Sequence, residues 1–348
     1  MAKPRLGWML LFPALVLVTF WLLLRGQDLG QLRAVLGRAD PRWLCAGAAA
    51  MAVYFGLEGR NLRAALAVFG VDAPYRDCLS YAFTGFFFSS VTPSATGGQP
   101  MQLLAMHRRG IDPAPGALAL LTEFFSFQIV AVLYGAAGLL LVWGRLGPLP
   151  AGLWLFFLLG ILLDLTVLLA LALAVSSPGL APALWRRLRP LVRRLLPRRC
   201  DRIEDWGRAQ WRDLRRCVSC YRGHGRRLAS LLVTDVLRFT AYHSVPFWVA
   251  LALGADGAAL VPMLAVQAVL FVSVASLPLP GAVGASEGGF LLLYTAFFPQ
   301  ELLSGAMLLS RGVSFYLFLL IGALVTGAAF LSSPAAHHLS LQRPLGER

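Results

Sequence analysis

Between two apolar runs lies the stretch from Ser276 to Gly289, where two prolines (Pro278, Pro280) and four glycines (Gly281, Gly284, Gly288, Gly289) interrupt the backbone around one carboxylate, Glu287. A helix crossing hydrocarbon satisfies its own N–H and C=O groups, and a stretch like this one does not. Broken backbone at membrane depth is tolerated only where protein buries it or where it lines a wet cavity. A similar break occurs far upstream, from Thr92 through Pro93, Gly97, Gly98 and Gln99 to Pro100. Paired Gly/Pro interruptions in the two halves of a membrane chain point to a transport site between them.

The composition places these breaks in a membrane. The chain is 58% hydrophobic and 14% charged, with a mean hydropathy of +0.68, whereas a soluble domain carries about 25% charged residues. The net charge of +14 is concentrated. Between Arg186 and Arg227 lie 15 of the 31 basic residues against four acids, a local excess of +11. Such a block reads as a cytoplasmic loop facing anionic headgroups, not as a nucleic-acid surface. Its Trp185, Leu188, Leu191, Leu195 and Trp206 suggest helices lying on that surface. The five cysteines form no framework, since Cys217-x-x-Cys220 lacks the second pair that a zinc site needs. Lys3 and Arg5 precede an apolar run, 6–24, that is longer than a signal peptide's and lacks its cleavage pattern. It reads as a retained helix.

Hydropathy and loop charge predict an all-α polytopic bundle. Six full spans are expected, at 6–24, 43–69, 114–143, 153–175, 228–253 and 302–331. The polar link 25–42 reads as a short interfacial helix, with Leu29, Leu32, Val35 and Leu36 at helical spacing. Residues 78–91 are too few to cross about 30 Å of hydrocarbon, so 78–106 is expected to form a re-entrant hairpin. A second hairpin, 258–298, is expected to enter from the opposite side. The stretches 43–143 and 228–331 then form an inverted repeat within one integral membrane domain, 1–348. Both termini and the basic loop 177–227 are placed in the cytoplasm, and the chain in the inner (cytoplasmic) membrane.

Ionisable residues inside spans cost roughly 2.5–3.5 kcal/mol on insertion scales, so each is a candidate for function. Here they are Glu58, Arg60, Arg63, Glu123, Asp164, Asp235, Arg238, Glu287 and Arg311. Arg60 and Arg63 lie near a helix end, where snorkelling to the headgroups also accounts for them. Glu123 and Arg311 occupy related positions in the spans that follow each hairpin. Guanidinium grips phosphate oxygens bidentately, and helix N-termini at the breaks add N–H groups for an anion. Gly97, Gly98, Gly288 and Gly289 would let a headgroup approach the backbone. The alternative for Arg311 is an internal ion pair with Glu123 or Glu287. The five histidines show no H-E-x-x-H spacing and no P-loop is present, so no catalytic, metal or cofactor site is expected.

Several of these residues also carry a family likeness. Thr92-Pro93-x-x-x-Gly97-Gly98-Gln99 and Leu277-Pro278-x-Pro280-Gly281-x-x-Gly284-x-x-Glu287-Gly288 resemble the two signature stretches of the lysylphosphatidylglycerol synthase transmembrane region, a group often called flippase-like. Tyr54 with Arg60-x-x-Arg63, Glu123-Phe124-x-x-x-Gln128 and Arg311-Gly312-x-x-x-Tyr316 are similar to the same family, over roughly residues 10 to 330. The family usually has a glutamate where Gln99 stands. The resemblance implies a lipid flippase region, here expected to stand alone without the synthase domain. It implies a phospholipid or polyprenyl-linked glycolipid as the bound partner, and a non-enzymatic role. Arg60, Arg238 and Arg311 would attract phosphate and Glu287 an amine or proton. Thr92, Pro93, Gly97, Gly98, Gln99, Glu123, Pro280, Gly281, Gly284 and Gly288 would line the path. The alternatives are a membrane-embedded headgroup phosphatase and a scaffold for a lipid-synthesis enzyme.

Overall fold

The structure, a computed structural model, describes residues 29–92, 95–142, 180–195, 225–275, 277 and 279–332, with 154–155, 158–162, 165–166, 169, 200–201, 204–205, 208, 212 and 219 between them. The expected span 6–24, Pro93, Asp164, Trp206, the Cys217/Cys220 pair and the tail lie outside the described residues. What is described is helical, with no strand.

The helices are α1 (Leu29–Arg38), α2 (Pro41–Val68), α3 (Tyr75–Val91), α4 (Gly98–Arg108), α5 (Pro113–Val142) and α6 (Leu180–Leu195), then α7 (Gly225–His243), α8 (Val245–Ala252), α9 (Leu260–Ala275), α10 (Ala285–Leu293), α11 (Gln300–Arg311) and α12 (Leu317–Ser332). A π-helical turn, Gly312–Tyr316, joins α11 to α12 into one long element. Two helices among the described residues are long and apolar enough to cross a membrane by length and composition, 113–142 and 300–331. The expected span 228–253 is divided. Pro246 lacks the N–H that an unbroken helix would use, and α8 restarts with it in its first turn.

Helix α2 shows how the bundle is built. Asp40 caps it by accepting from Arg42 N at 2.8 Å, and Pro41 occupies the first turn, where no N–H is missed. Its buried residues Met51, Phe55, Gly59, Leu62 and Leu66 recur every three or four positions, which is one face of a helix. Phe55 stacks on Phe83 of α3 (ring centroids 4.4 Å apart) and Phe318 of α12 (5.1 Å). Helix α7 is patterned the other way round. Thr234, Asp235 and Arg238 point inward and are buried, whereas Val233 and Leu237 face outward at 61% and 53% exposure. Polar residues inside and apolar residues outside suit a hydrocarbon surround.

Each break joins a helical hairpin. In the first, α3 packs antiparallel on α4, with Gln102 Nε2 donating to Tyr81 O at 3.1 Å. Gly98 is what lets the two approach, because a Cβ there would run into Ser89 and lie 2.9 Å from Gly85 O. In the second, Tyr294 donates to Met263 O (3.3 Å) and to Gln267 Oε1 (2.9 Å), tying the end of α10 to α9. Both breaks contain an alanine at positive φ, Ala95 at 53° and Ala282 at 50°. Non-glycine residues rarely adopt this conformation, and it costs of order 1–3 kcal/mol.

Gly98→Ala should therefore destabilise the protein by about 1–3 kcal/mol through overpacking. Gly288→Ala, in a helical position with open space beside it, should be neutral or stabilising. Thermal unfolding of both variants in detergent checks the contrast.

Candidate functional site

The two breaks face one another. Residues 280–282 pack on α3, and a Cβ on Gly281 would meet the Phe315 ring and lie 3.3 Å from Ser90 O. The φ of Gly281 is +58°, so a side chain is disfavoured there both by backbone and by space. Between the breaks lies a cavity of about 570 Å³, within the roughly 300–1,000 Å³ of small-molecule sites. Ala95, Thr96 and Gln99 line it from the first break, and Leu277, Gly281, Ala282 and Ser286 from the second. Its apolar walls include Phe86, Phe124, Phe127 and Phe271, and its charged groups are Glu58, Glu123, Arg238 and Arg311.

The two arginines sit in different surroundings. Arg238, 1% exposed, is surrounded by acids. Its Nη1 lies 2.7 Å from Glu123 of α5 and 2.7 Å from Asp235 of α7, and its Nη2 lies 3.1 Å from Glu58 of α2. The guanidinium also lies over the Tyr54 and Phe127 rings, 5.0 and 5.4 Å from their centroids. One cation thus joins three helices. At an effective dielectric of 20 each close contact is worth roughly 4 kcal/mol before desolvation.

Arg311 has one acidic partner. Its Nε donates to Glu287 Oε1 at 2.8 Å and its Nη2 to Gly281 O at 3.2 Å. Glu287 in turn caps α10, its Oε2 accepting from Gly284 N at 2.6 Å, and its Oε1 accepts from Tyr316 at 3.4 Å. The π-helical turn begins directly after Arg311. Such turns are frequent at functional sites. The cavity thus has one net-acidic end and one end lined by Arg311.

Residues 9–322 match the family model described as the lysylphosphatidylglycerol synthase TM region. The chain belongs to that family. It is also similar to a UPF0104 membrane protein of Archaeoglobus fulgidus, at 23% identity over 263 residues, which is 73% of this chain and 76% of the relative. The protein is accordingly a helical membrane protein of the lysylphosphatidylglycerol synthase TM type.

In this family member the candidate residues divide by position. Gln99, Glu123, Gly281, Arg238 and Arg311 line the cavity. Glu287 is buried behind Arg311. Thr92 closes the first break, donating to Phe88 O (2.6 Å) and accepting from Gly97 N (2.9 Å). Gly97 and Gly98 are close-packing positions, with the Thr92 side chain and Ser89 where a Cβ would go. Pro280 opens the short turn before Gly281. Gly284, at φ +87°, precedes α10, and Gly288 lies within it beside open space. Arg60 is turned to α7, where it donates to Thr234 and, at 3.1 Å, to Ser230 Oγ.

Glu58 and Asp235 appear in the sequence as intramembrane acids; the i,i+3 spacing of Asp235 to Arg238 is a pairing signal on a helix, but nothing assigns Glu58, 180 positions away. Gln102, Gln267 and Ser310 line the cavity without any local signal in sequence, as does Tyr54 apart from its place in the family likeness. Against the expectation that no nucleophile elbow is present, Gly284-Ala285-Ser286-Glu287-Gly288 does spell the G-x-S-x-G of hydrolase elbows. That elbow joins a strand to a helix and presents serine to a histidine. Here it joins a short turn to α10, and no described histidine bonds Ser286.

Arg238→Met would leave the buried Asp235 and the part-buried Glu58 and Glu123 without their cation, and should destabilise the protein by about 3–5 kcal/mol. Adding Glu58→Gln and Glu123→Gln should recover part of that loss in detergent unfolding, because the uncompensated charge is what destabilises.

Proposed function

We propose that this protein moves a phospholipid or a polyprenyl-linked glycolipid between leaflets, its headgroup passing through the cavity between the two breaks. The observation that carries the reading is the cavity itself: lined from both breaks, aromatic along its walls, and lined at one end by the Arg311 guanidinium. Guanidinium binds phosphate oxygens in charge-assisted bonds, and the phenylalanines give the attached glycerol and acyl carbons an apolar path. The exposed apolar faces of α5 and α12, with Leu133 and Leu140 at 63% and 79% and Leu324 at 66% exposure, would meet lipid tails.

In this reading α3–α4 and α9–α10 are re-entrant hairpins and the two halves form an inverted repeat. The packing supports it. Helix α3 lies on α12 as α9 lies on α5, α4 packs on α5 as α10 packs on α11, and α2 packs on α5 as α8 packs on α11. A cavity between two such halves opens alternately to either side when they rock. The protein then sits in the cytoplasmic membrane with its termini and basic loop inside, where exposed Arg186, Arg187, Arg193 and Arg194 of α6 meet anionic headgroups. We read it as a transporter and not an enzyme: the charged groups described along the cavity, Glu58, Glu123, Arg238 and Arg311, suit the binding of a charged headgroup.

Purified protein in liposomes should accelerate loss of headgroup-labelled phosphatidylglycerol from the inner leaflet, read with a side-specific quencher. Arg311→Ala should slow it about tenfold or more, the effect of losing about 1.4 kcal/mol or more of charge-assisted bonding. Rates equal to protein-free vesicles for phosphatidylglycerol and for a polyprenyl glycolipid would sink the reading.

A further inference from the structure

The Arg238 cluster holds more negative charge than its own cation neutralises. Three carboxylates meet one guanidinium, so the fully ionised cluster has an excess of two negative charges, with Asp235 0% and Arg238 1% exposed. The surrounding helices do not supply the missing charge. Helix α2 contributes Tyr54 and Arg60, and Arg60 is bonded to Ser230 and Thr234 instead. Helix α5 contributes Tyr134, and α7 itself contributes Tyr242 and His243, whose ring packs against Tyr134 and Phe239 with Nδ1 on Phe239 O at 2.6 Å. Helices α8 and α9 contain no ionisable residue. Like charges held this close do not all ionise in a buried site.

A second observation locates the compensation. Asp235 Oδ1 accepts from Asn61 Nδ2 at 2.9 Å and from Arg238 Nη1 at 2.7 Å, yet Asp235 Oδ2 is buried with no partner. Asn61 donates through Nδ2 to Asp235 and to Leu231 O (3.3 Å), and its own Oδ1 is likewise buried with no partner. An orphaned buried acceptor costs about 1–3 kcal/mol. Here two orphans sit on two side chains already joined by a hydrogen bond. One hydrogen on Asp235 Oδ2, donated to Asn61 Oδ1, satisfies both and removes one excess charge.

We propose that the Arg238 cluster is a proton-binding site filled from the cavity, with Asp235 holding the proton and Asn61 accepting its hydrogen bond. Glu58 and Glu123 line the cavity and Asp235 does not, so the proton enters through them. A cavity hydronium gives its proton to Glu123 and leaves as water; Glu123 then passes it to Asp235, so only O–H bonds form and break. The two carboxylates share Arg238 Nη1 at 2.7 Å each, which holds donor and recipient on one atom. The point on which the three carboxylates converge is taken by the Arg238 guanidinium, and a proton is the species this geometry fits. On the transport reading above, the same proton couples lipid movement to a proton gradient.

Infrared spectroscopy of the purified full-length protein at neutral pH tests the site directly. A protonated-carboxyl band that shifts in D2O is expected in the wild type and should be lost in Asp235→Asn, whose thermal midpoint should hold because its amide N–H replaces the acid hydrogen toward Asn61. Asn61→Leu should move the band by removing its acceptor. A wild type without the band, a band that persists in Asp235→Asn, or one unmoved in Asn61→Leu overturns the proposal. In liposomes an imposed pH gradient should bias the labelled lipid toward one leaflet. Lipid movement indifferent to the gradient overturns the coupling and leaves the transport reading standing. No lipid movement sinks the transport reading, and the spectrum alone then decides the proton site.

Discussion

Burying an arginine in a membrane protein is tolerated only with partners, and the partners of Arg238 determine much of this molecule. Glu58, Glu123 and Asp235 bring α2, α5 and α7 to one point, and the hydrogen bonds of Asn61 add a second tie between α2 and α7. An ion cluster of this kind gains little net free energy over well-packed apolar residues, so its presence is better explained by what it does than by what it stabilises. It fixes which faces of three helices look at each other. It also forms one wall of the cavity, because Glu58, Glu123 and Arg238 present their polar ends to the lumen.

The opposite wall is built by backbone. Proline and glycine stop α9 short, α10 starts again after Gly284, and the freed groups are taken up locally: Glu287 accepts from Gly284 N, and Arg311 donates to Gly281 O. Glu287 and Arg311 therefore belong to the break as much as to the cavity. The first break is closed by a hydroxyl instead, with Thr92 bridging Phe88 O and Gly97 N. One break is thus charged and the other neutral, so the two halves share an arrangement of helices but differ in electrostatics.

Much of the architecture was legible in the chain. The helical class follows from apolar run lengths and the positions of the two breaks from where Pro and Gly fall, and α3, α4, α9 and α10 lie within a few residues of the expected segments. The site was legible by residue type, and by partnership chiefly for Arg311, whose pairing with Glu287 was one of two alternatives in the sequence. Arg238 reads in sequence as a free phosphate anchor, and the fold places it among three acids. Gly98 reads as a place where a ligand approaches the backbone, and the fold uses it to seat α4 on α3. Arg60 reads as a cavity cation or a snorkelling one, and the fold turns it to the hydroxyls of α7.

These differences share one cause. Sequence by itself determined what is local: which stretches must be helix in an apolar surround, where the backbone has to break, and how many charges the interior has to accommodate. Hydrophobic periodicity and the conformational limits of proline and glycine act over a few residues, and they can be read there. Only the tertiary structure decided which acid meets which base and which glycine faces a helix rather than a lumen. Those pairings span 115 residues for Arg238 with Glu123 and 24 for Arg311 with Glu287. They are settled by helix rotation and approach, which Coulomb attraction and close packing fix only once the helices are side by side.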